Sequence, residues 1–193
     1  IYMSLLLRPK GVDSNQAIKI TTMAAVAACE AIEKVSDENP EIKWVNDVYI
    51  KGKKVCGILT EASLSIENGT LDYIILGIGI NVYQPIDGFP KELENIAGSI
   101  FSKRQKDGKN RLCAEFLNFF MNYYKEIKKT DYTKKYREKS LVIGKEISIL
   151  SLNEKKKAFA MDIDEDCYLI VRYEDGTIER LFSGEISIRL SKN

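Results

Sequence analysis

The sequence predicts an α+β fold with a small five-stranded β-barrel at its C-terminal end, and three observations carry that prediction. An alanine-rich helical stretch, Ala17 to Val35, precedes two long β-branched runs, Val55 to Ile66 and Leu71 to Val82, joined across the tight-turn signal Asn68-Gly69. A second helical stretch, from about Arg111 to Lys129, sets Leu112, Phe116, Phe119, Phe120, Tyr123, Tyr124 and Ile127 at helical spacing, which reads as a core stripe. Beyond about Ser140 the pattern changes to short strands separated by short turns.

Taken in order, the chain opens at Ile1 inside the apolar run Ile1 to Leu7, which reads as a strand met mid-protein, with residues missing before it. Asp13 and Gln16 form a capping box for the alanine-rich helix, whose small side chains suit close packing and which ends before Pro40. Trp44 and the run Val48 to Ile50 read as strand, and Lys51-Gly52-Lys53 as a turn. Gln84 to Pro90, with two prolines and a glycine, reads as a surface loop. A short helix is expected over Lys91 to Phe101, and the charged run Lys128 to Lys139 reads as helical to its end. Five strands follow: Glu146 to Leu150, Lys157 to Ile163, Tyr168 to Tyr173, Thr177 to Phe182 and Ile186 to Leu190. Asp175-Gly176 is a hairpin signal and Ser183-Gly184 a break, so the expected division is residues 1–139 and an SH3-like unit over 140–193.

Composition excludes several functions. No apolar run reaches the roughly 18 residues that span a bilayer, so no membrane segment is expected. Basic and acidic side chains number 29 and 28, a formal charge of +1, so the overall footprint of a nucleic-acid binder is missing. The cluster Lys103, Arg104, Lys106, Lys109 and Arg111 reads as a solvated loop and helix start. Histidine is absent, which removes Ser-His-Asp and Cys-His catalysis together with the commonest metal ligand. Cys29, Cys56, Cys113 and Cys167 show no C-x-x-C pairing, so neither a disulfide framework nor a zinc site is expected and a reducing cytoplasm fits.

The residues that carry chemistry gather around the long hairpin. Lys54 begins a strand in which strict alternation puts Cys56, Ile58, Thr60 and Leu64 on its own face and Gly57 and Leu59 on the other. An ammonium at the lip of such a strand suits a carboxylate or a phosphate. Asn46-Asp47 reads equally well as a turn pair or as a functional pair beside Trp44. Gly77 and Gly79 share one face of a strand, where glycine signals a close approach, either by a ligand or by the helix through Ala24 to Ala28. They do not form a dinucleotide fingerprint, since no third glycine and no helix start follow.

Four motifs in order, K-W-V-N-D, K-K-V-C-G-I-L-T-E, G-I-G-I-N-V and S-G-E-I-S-I-R, make the chain resemble biotin–protein ligases over essentially its whole length. The opening I-Y-M-S-L-L-L-R-P is similar to the strand that follows that family's ligand loop. The resemblance implies a mixed β-sheet with helices, similar to the class II aminoacyl-tRNA synthetase core, plus an SH3-like C-terminal domain. It implies ATP-dependent formation of biotinyl-5′-adenylate, with Mg2+ accompanying ATP, and transfer of biotin to a lysine of a biotin carboxyl carrier protein. By resemblance Lys54 and Asp47 are catalytic, Lys54, Gly57, Leu59, Gly77 and Gly79 bind biotin, and Asn46, Asp47, Asn81, Glu185 and Arg189 serve the ATP site. No dedicated metal cage is implied, and a homodimer is left open. Val45 stands where the family usually has proline, and the family's glycine- and arginine-rich loop has no counterpart in these residues. Two other readings share the fold: an adenylate-sensing module of a bifunctional repressor, and a related lipoate ligase.

Overall fold

A computed structural model describes residues 1–9, 17–64, 71–127, 131–150, 155–182 and 187–190. The elements run β1 (Tyr2–Leu7), α1 (Ala17–Val35), β2 (Glu41–Lys43), β3 (Asp47–Ile50), β4 (Lys53–Leu64), β5 (Leu71–Ile80), α2 (Gly108–Lys125), α3 (Asp131–Glu138), β6 (Glu146–Leu150), β7 (Lys155–Ile163), β8 (Leu169–Tyr173), β9 (Ile178–Leu181) and β10 (Ser187–Leu190). They form two five-stranded sheets, ordered β1-β5-β4-β3-β2 and β10-β6-β7-β8-β9. The α+β class therefore holds, and the five expected C-terminal strands are all present. Every ladder is antiparallel; among the described residues parallel pairing is limited to the single bridges Ile42–Ser140, Lys54–Ala97 and Tyr83–Phe101.

Helix α1 explains the layering. Its alanines at 24, 25, 27, 28 and 31 and its Ile20, Met23 and Ile32 have no exposed surface, so the middle of the helix, residues 20–29, is buried all round and must be covered on all sides. The first sheet covers one side, where Thr21 Oγ1 donates to Thr60 Oγ1 at 2.7 Å, and α2 packs on another. The predicted aromatic stripe of α2 is core: Leu112, Phe116 and Phe120 are fully buried, and Phe119, Tyr123, Tyr124 and Ile127 pack against the same cluster. After α3 the chain closes the β2 edge, with Ile42 N–H donating to Lys139 O and Leu141 N–H to Ile42 O, both at 2.7 Å.

Two local expectations are corrected. Trp44 lies in the turn between β2 and β3 rather than in a strand. Lys91 to Phe101 is not a helix but a run of turns and bridges. Its backbone groups are taken by the sheet instead: Lys54 N–H donates to Ile96 O, Gly98 N–H to Lys54 O, Ile100 N–H to Asn81 O and Phe101 N–H to Val82 O. Each such bond uses a group that a helix would need for its own ladder. The Asn68-Gly69 turn, the Asp13/Gln16 capping box and the Ser183-Gly184 break lie outside the described residues. Among the described residues no helix is long and apolar enough to cross a membrane.

Candidate functional site

The first sheet turns one face to α1 and leaves the other open. Residues directly opposite on paired strands share a face, so the register lays out the open face in rows. Asp47 stands opposite Gly57, Gly57 opposite Gly79, and Gly79 opposite Tyr2; in the next row Leu59 faces Gly77 and Gly77 faces Ser4. These residues, with Asn46 and Lys54, line a cleft of about 530 Å³. The glycines make its floor. A Cβ at Gly79 would meet the Tyr2 ring at 3.6 Å, and one at Gly77 the Leu59 backbone at 3.6 Å. No atom of α1 is near either, so close packing against the helix is not what these two glycines serve.

Lys54 reaches this face through an irregularity that alternation does not foresee. Val48 pairs with Cys56, but the next residue, Tyr49, pairs with Lys54, leaving Val55 as an extra residue in a β-bulge. The expectation that Lys54 shares a face with Cys56, Ile58 and Thr60 is thus overturned: the bulge turns it over, onto the side of Asp47 and Gly57. The Val55 carbonyl accepts from Asn81 N–H at 2.8 Å, and the segment Ile96 to Gly98 takes the Lys54 backbone groups, so the bulge is held by tertiary hydrogen bonds. Gly98 is required there, because a Cβ would come within 2.9 Å of the Lys53 Cβ.

The Lys54 ammonium lies 2.5 Å from Asp47 Oδ1, the two side chains being 39% and 18% exposed. A Cβ at Gly57 would stand 3.1 Å from Lys54 Cε and 3.2 Å from Nζ, so the missing side chain is the space the lysine occupies. The turn bearing Asn46 is pinned to β4 from both directions: Asn46 Nδ2 donates to Ile58 O at 2.7 Å and Ile58 N–H to Asn46 O at 3.0 Å. The peptide between Trp44 and Val45 is cis. An accessible cation aligned by a carboxylate beside an apolar, glycine-floored cleft can hold an anionic head group on a flat apolar body and offset charge that builds on it. Cys56, on the opposite face, takes no part: burial pushes its thiol up to about 12, so it stays protonated at neutral pH.

The cleft therefore gathers Asn46, Asp47, Lys54, Gly57, Leu59, Gly77 and Gly79. Asn81 is not among its lining residues; it lies beside the bulge through its backbone bond to Val55. Arg189 is on β10, opposite Ser148, and Glu185 lies outside the described residues. Sequence reasoning missed Tyr2 and Ser4, which line the cleft from β1; their alternation in Tyr2, Ser4, Leu6 was the available signal, but only the pairing with β5 says which face they share. A larger groove, of about 1060 Å³, lies between the Lys51–Lys53 turn and residues 84–105, and neither Lys54, Asp47 nor the three cleft glycines line it. Among the described residues no three His, Cys, Asp or Glu side chains gather as a metal cage.

Known proteins resemble this chain in sequence and in fold. Residues 1–81 match the Biotin/lipoate A/B protein ligase family, and residues 142–189 match the Biotin protein ligase C terminal domain. The chain is 33% identical over 192 residues to the bifunctional ligase/repressor BirA of Bacillus spizizenii; the match covers 97% of this chain and 58% of that protein, so the chain spans less than two thirds of its length. The apo structure of biotin protein ligase from Aquifex aeolicus superposes with a TM-score of 0.82 at 28% identity, over 98% of this chain and 82% of that one. Biotin protein ligase from Aquifex aeolicus in complex with biotin and ATP gives a TM-score of 0.80 at 28% identity, over 98% and 78% of the two chains. Residues 1–81 thus carry a region of the biotin/lipoate A/B protein ligase family, and residues 142–189 a biotin protein ligase C-terminal domain.

Proposed function

We propose that this chain joins biotin to protein: it activates biotin with ATP to biotinyl-5′-adenylate and pyrophosphate, then passes the biotinyl group to a lysine of a biotin carboxyl carrier protein. The observation that carries the reading is the Lys54–Asp47 pair set at the edge of a glycine-floored cleft, within the region that matches this family. In the first step a biotin carboxylate oxygen attacks the α-phosphorus of ATP, and the bond from that phosphorus to the bridging oxygen breaks as pyrophosphate leaves. In the second, the neutral amine of the acceptor lysine attacks the acyl carbon, AMP leaves with the bonding pair, and the nitrogen loses a proton.

Lys54 offsets the negative charge on carboxylate and phosphate as they approach, and Asp47 holds the ammonium in place. Gly57, Gly77 and Gly79 admit a flat ring system against the backbone, with Leu59 as an apolar wall. Asn46 and Asp47 serve the nucleotide side, Asn81 the adenine, and Glu185 and Arg189 of the C-terminal domain, residues 140–193 after a core of 1–139, serve the ATP site. Mg2+ arrives with ATP as part of the substrate, held mainly by phosphate and water oxygens, which asks for no cage of protein carboxylates.

Biotin is favoured over lipoate by the match of residues 142–189 to a biotin protein ligase domain. The name of the Bacillus relative favours a second role as a sensor of the adenylate, although the +1 charge gives these residues no general pull on nucleic acid. A cytoplasmic location completes the proposal. ATP–pyrophosphate exchange in the purified intact protein tests it. Exchange should depend on biotin and be unmoved by lipoate; exchange that needs lipoate, or none with either acid, would sink the reading.

A further inference from the structure

The turn that carries Asn46 and Asp47 is held on its far side by groups outside its own sheet. Tyr136 of α3, fully buried, donates its hydroxyl to the Val45 carbonyl at 2.9 Å. Trp44, 4% exposed, donates Nε1–H to the Cys167 carbonyl at 3.0 Å. Cys167 lies in the turn between β7 and β8, with φ +66°, and that turn is itself braced. Asp164 accepts the backbone N–H groups of Asp166 and Tyr168 at 2.9 and 3.0 Å, and its carboxylate also takes Arg180. Asp166 binds Arg180 at 3.0 Å and Lys19 of α1 at 3.1 Å.

We infer that Tyr136 and the β7–β8 turn form a clamp that positions the Trp44–Asp47 segment, and through Asp47 the Lys54 ammonium, for the activation step. The inference rests on reading the cleft as the site of adenylate formation. The segment is a turn, with no ladder of its own from Trp44 to Asn46, so its place is decided by what bonds it on either side. Ile58 bonds it on the cleft side; Tyr136 and Cys167 bond it on the other. Removing the Tyr136 hydroxyl leaves the Val45 carbonyl short of a donor and frees the turn to shift. A shift of about 1 Å at a charge-stabilising pair can cost up to about 100-fold in rate. The C-terminal sheet thereby acts on the chemistry by contact with the motif, separately from any residue it sends toward the nucleotide. Tyr136 is a positioning residue in this scheme.

An internal comparison is available one helical turn earlier. Tyr132 is equally buried; its hydroxyl lies beside the Thr22 and Cys167 side chains and, among the described residues, makes no hydrogen bond to the Trp44–Asp47 segment. In the intact protein, Tyr136→Phe should lower kcat for biotin-dependent ATP–pyrophosphate exchange by about tenfold, with KM for biotin within about twofold because the glycine floor on β4 and β5 is untouched. Tyr132→Phe should leave kcat at the wild-type value. Equal kcat for Tyr136→Phe and wild type, or equal losses for the two tyrosine variants, overturns the clamp. If Tyr136→Phe does not fold, Asp166→Asn decides. It loosens the β7–β8 turn at an exposed site, and kcat should fall about two- to threefold. Unchanged kcat in that variant likewise overturns the clamp. Wild-type protein without biotin-dependent exchange sinks the functional reading itself, and the clamp with it; active wild type with an indifferent clamp sinks only the clamp.

Discussion

The two faces of the first sheet are built from alternate residues of the same strands, and they are made for opposite purposes. On the face under α1, Cys56, Ile58, Leu76, Ile78 and Ile80 are all at most 3% exposed and fill a continuous core. On the other, Leu59 is 62% and Tyr2 96% exposed, and glycine stands at 57, 77 and 79. The contrast teaches that the sheet treats side-chain volume as structure on one side and as obstruction on the other. A substitution one residue along a strand should therefore change stability or ligand handling, but not both.

Lys54→Ala should give the largest effect. Removing one preorganised charge-stabilising donor costs about 3–4 kcal/mol of barrier, a loss of roughly 10²–10³ in the rate of biotin-dependent exchange. Because the side chain is 39% exposed and on the open face, thermal stability should hardly move. Near-normal exchange would break the assignment of the open face to chemistry.

Neighbours Ile78 and Gly79 split the two faces most directly. Ile78→Ala empties a core site and should cost about 2–5 kcal/mol in denaturant unfolding, while the folded fraction keeps its KM for biotin. Gly79→Ala adds a methyl at ordinary contact distance, 3.6 Å from the Tyr2 ring, so stability should hold or rise by up to about 1 kcal/mol. Its KM for biotin should instead rise about tenfold, since the methyl stands in the cleft. Should both variants change stability and KM together, the two-face division fails.

The smallest effect concerns the brace behind the motif. The hydrogen bond from Lys19, and then Arg180, hold the Asp166 carboxyl below its usual range. A carboxyl with a depressed native pKa contributes stability above its unfolded value of about 3.9 and loses it as pH falls through the native value. Wild-type protein should lose this contribution in acid titrations below about pH 4, and Asp166→Asn should show a shallower loss over that range. The side chain is about half exposed, so the difference should be small; parallel titration curves would show that the brace is not formed in solution.

Much of this was legible locally. The alanine run gave the bounds of α1, the β-branched runs gave β4 and β5, and Gly77 and Gly79 announced a face on which side chains are unwelcome. The C-terminal strands were placed within a residue or two for the same reason, because turn residues and period-two patterning act over short distances. Lys91 to Phe101 misled because its local helical character was outcompeted by the backbone groups of Lys54, Asn81 and Val82, which are distant in sequence.

By itself, then, the amino-acid order determined which segments are helix or strand, that one strand face is glycine-lined, and that a lysine, a carboxylate and a carboxamide stand near it. Steric periodicity along one stretch of chain is enough for that. Only the tertiary structure decided which way Lys54 points, since the Val55 bulge exists through pairing with Tyr49, Asn81 and residues 96–98, none of which alternation can see. It alone also brought Tyr2 over Gly79, and Tyr136 and Cys167 behind Trp44 and Val45. Such contacts join residues dozens of positions apart, and their geometry follows from how the layers pack rather than from any local preference.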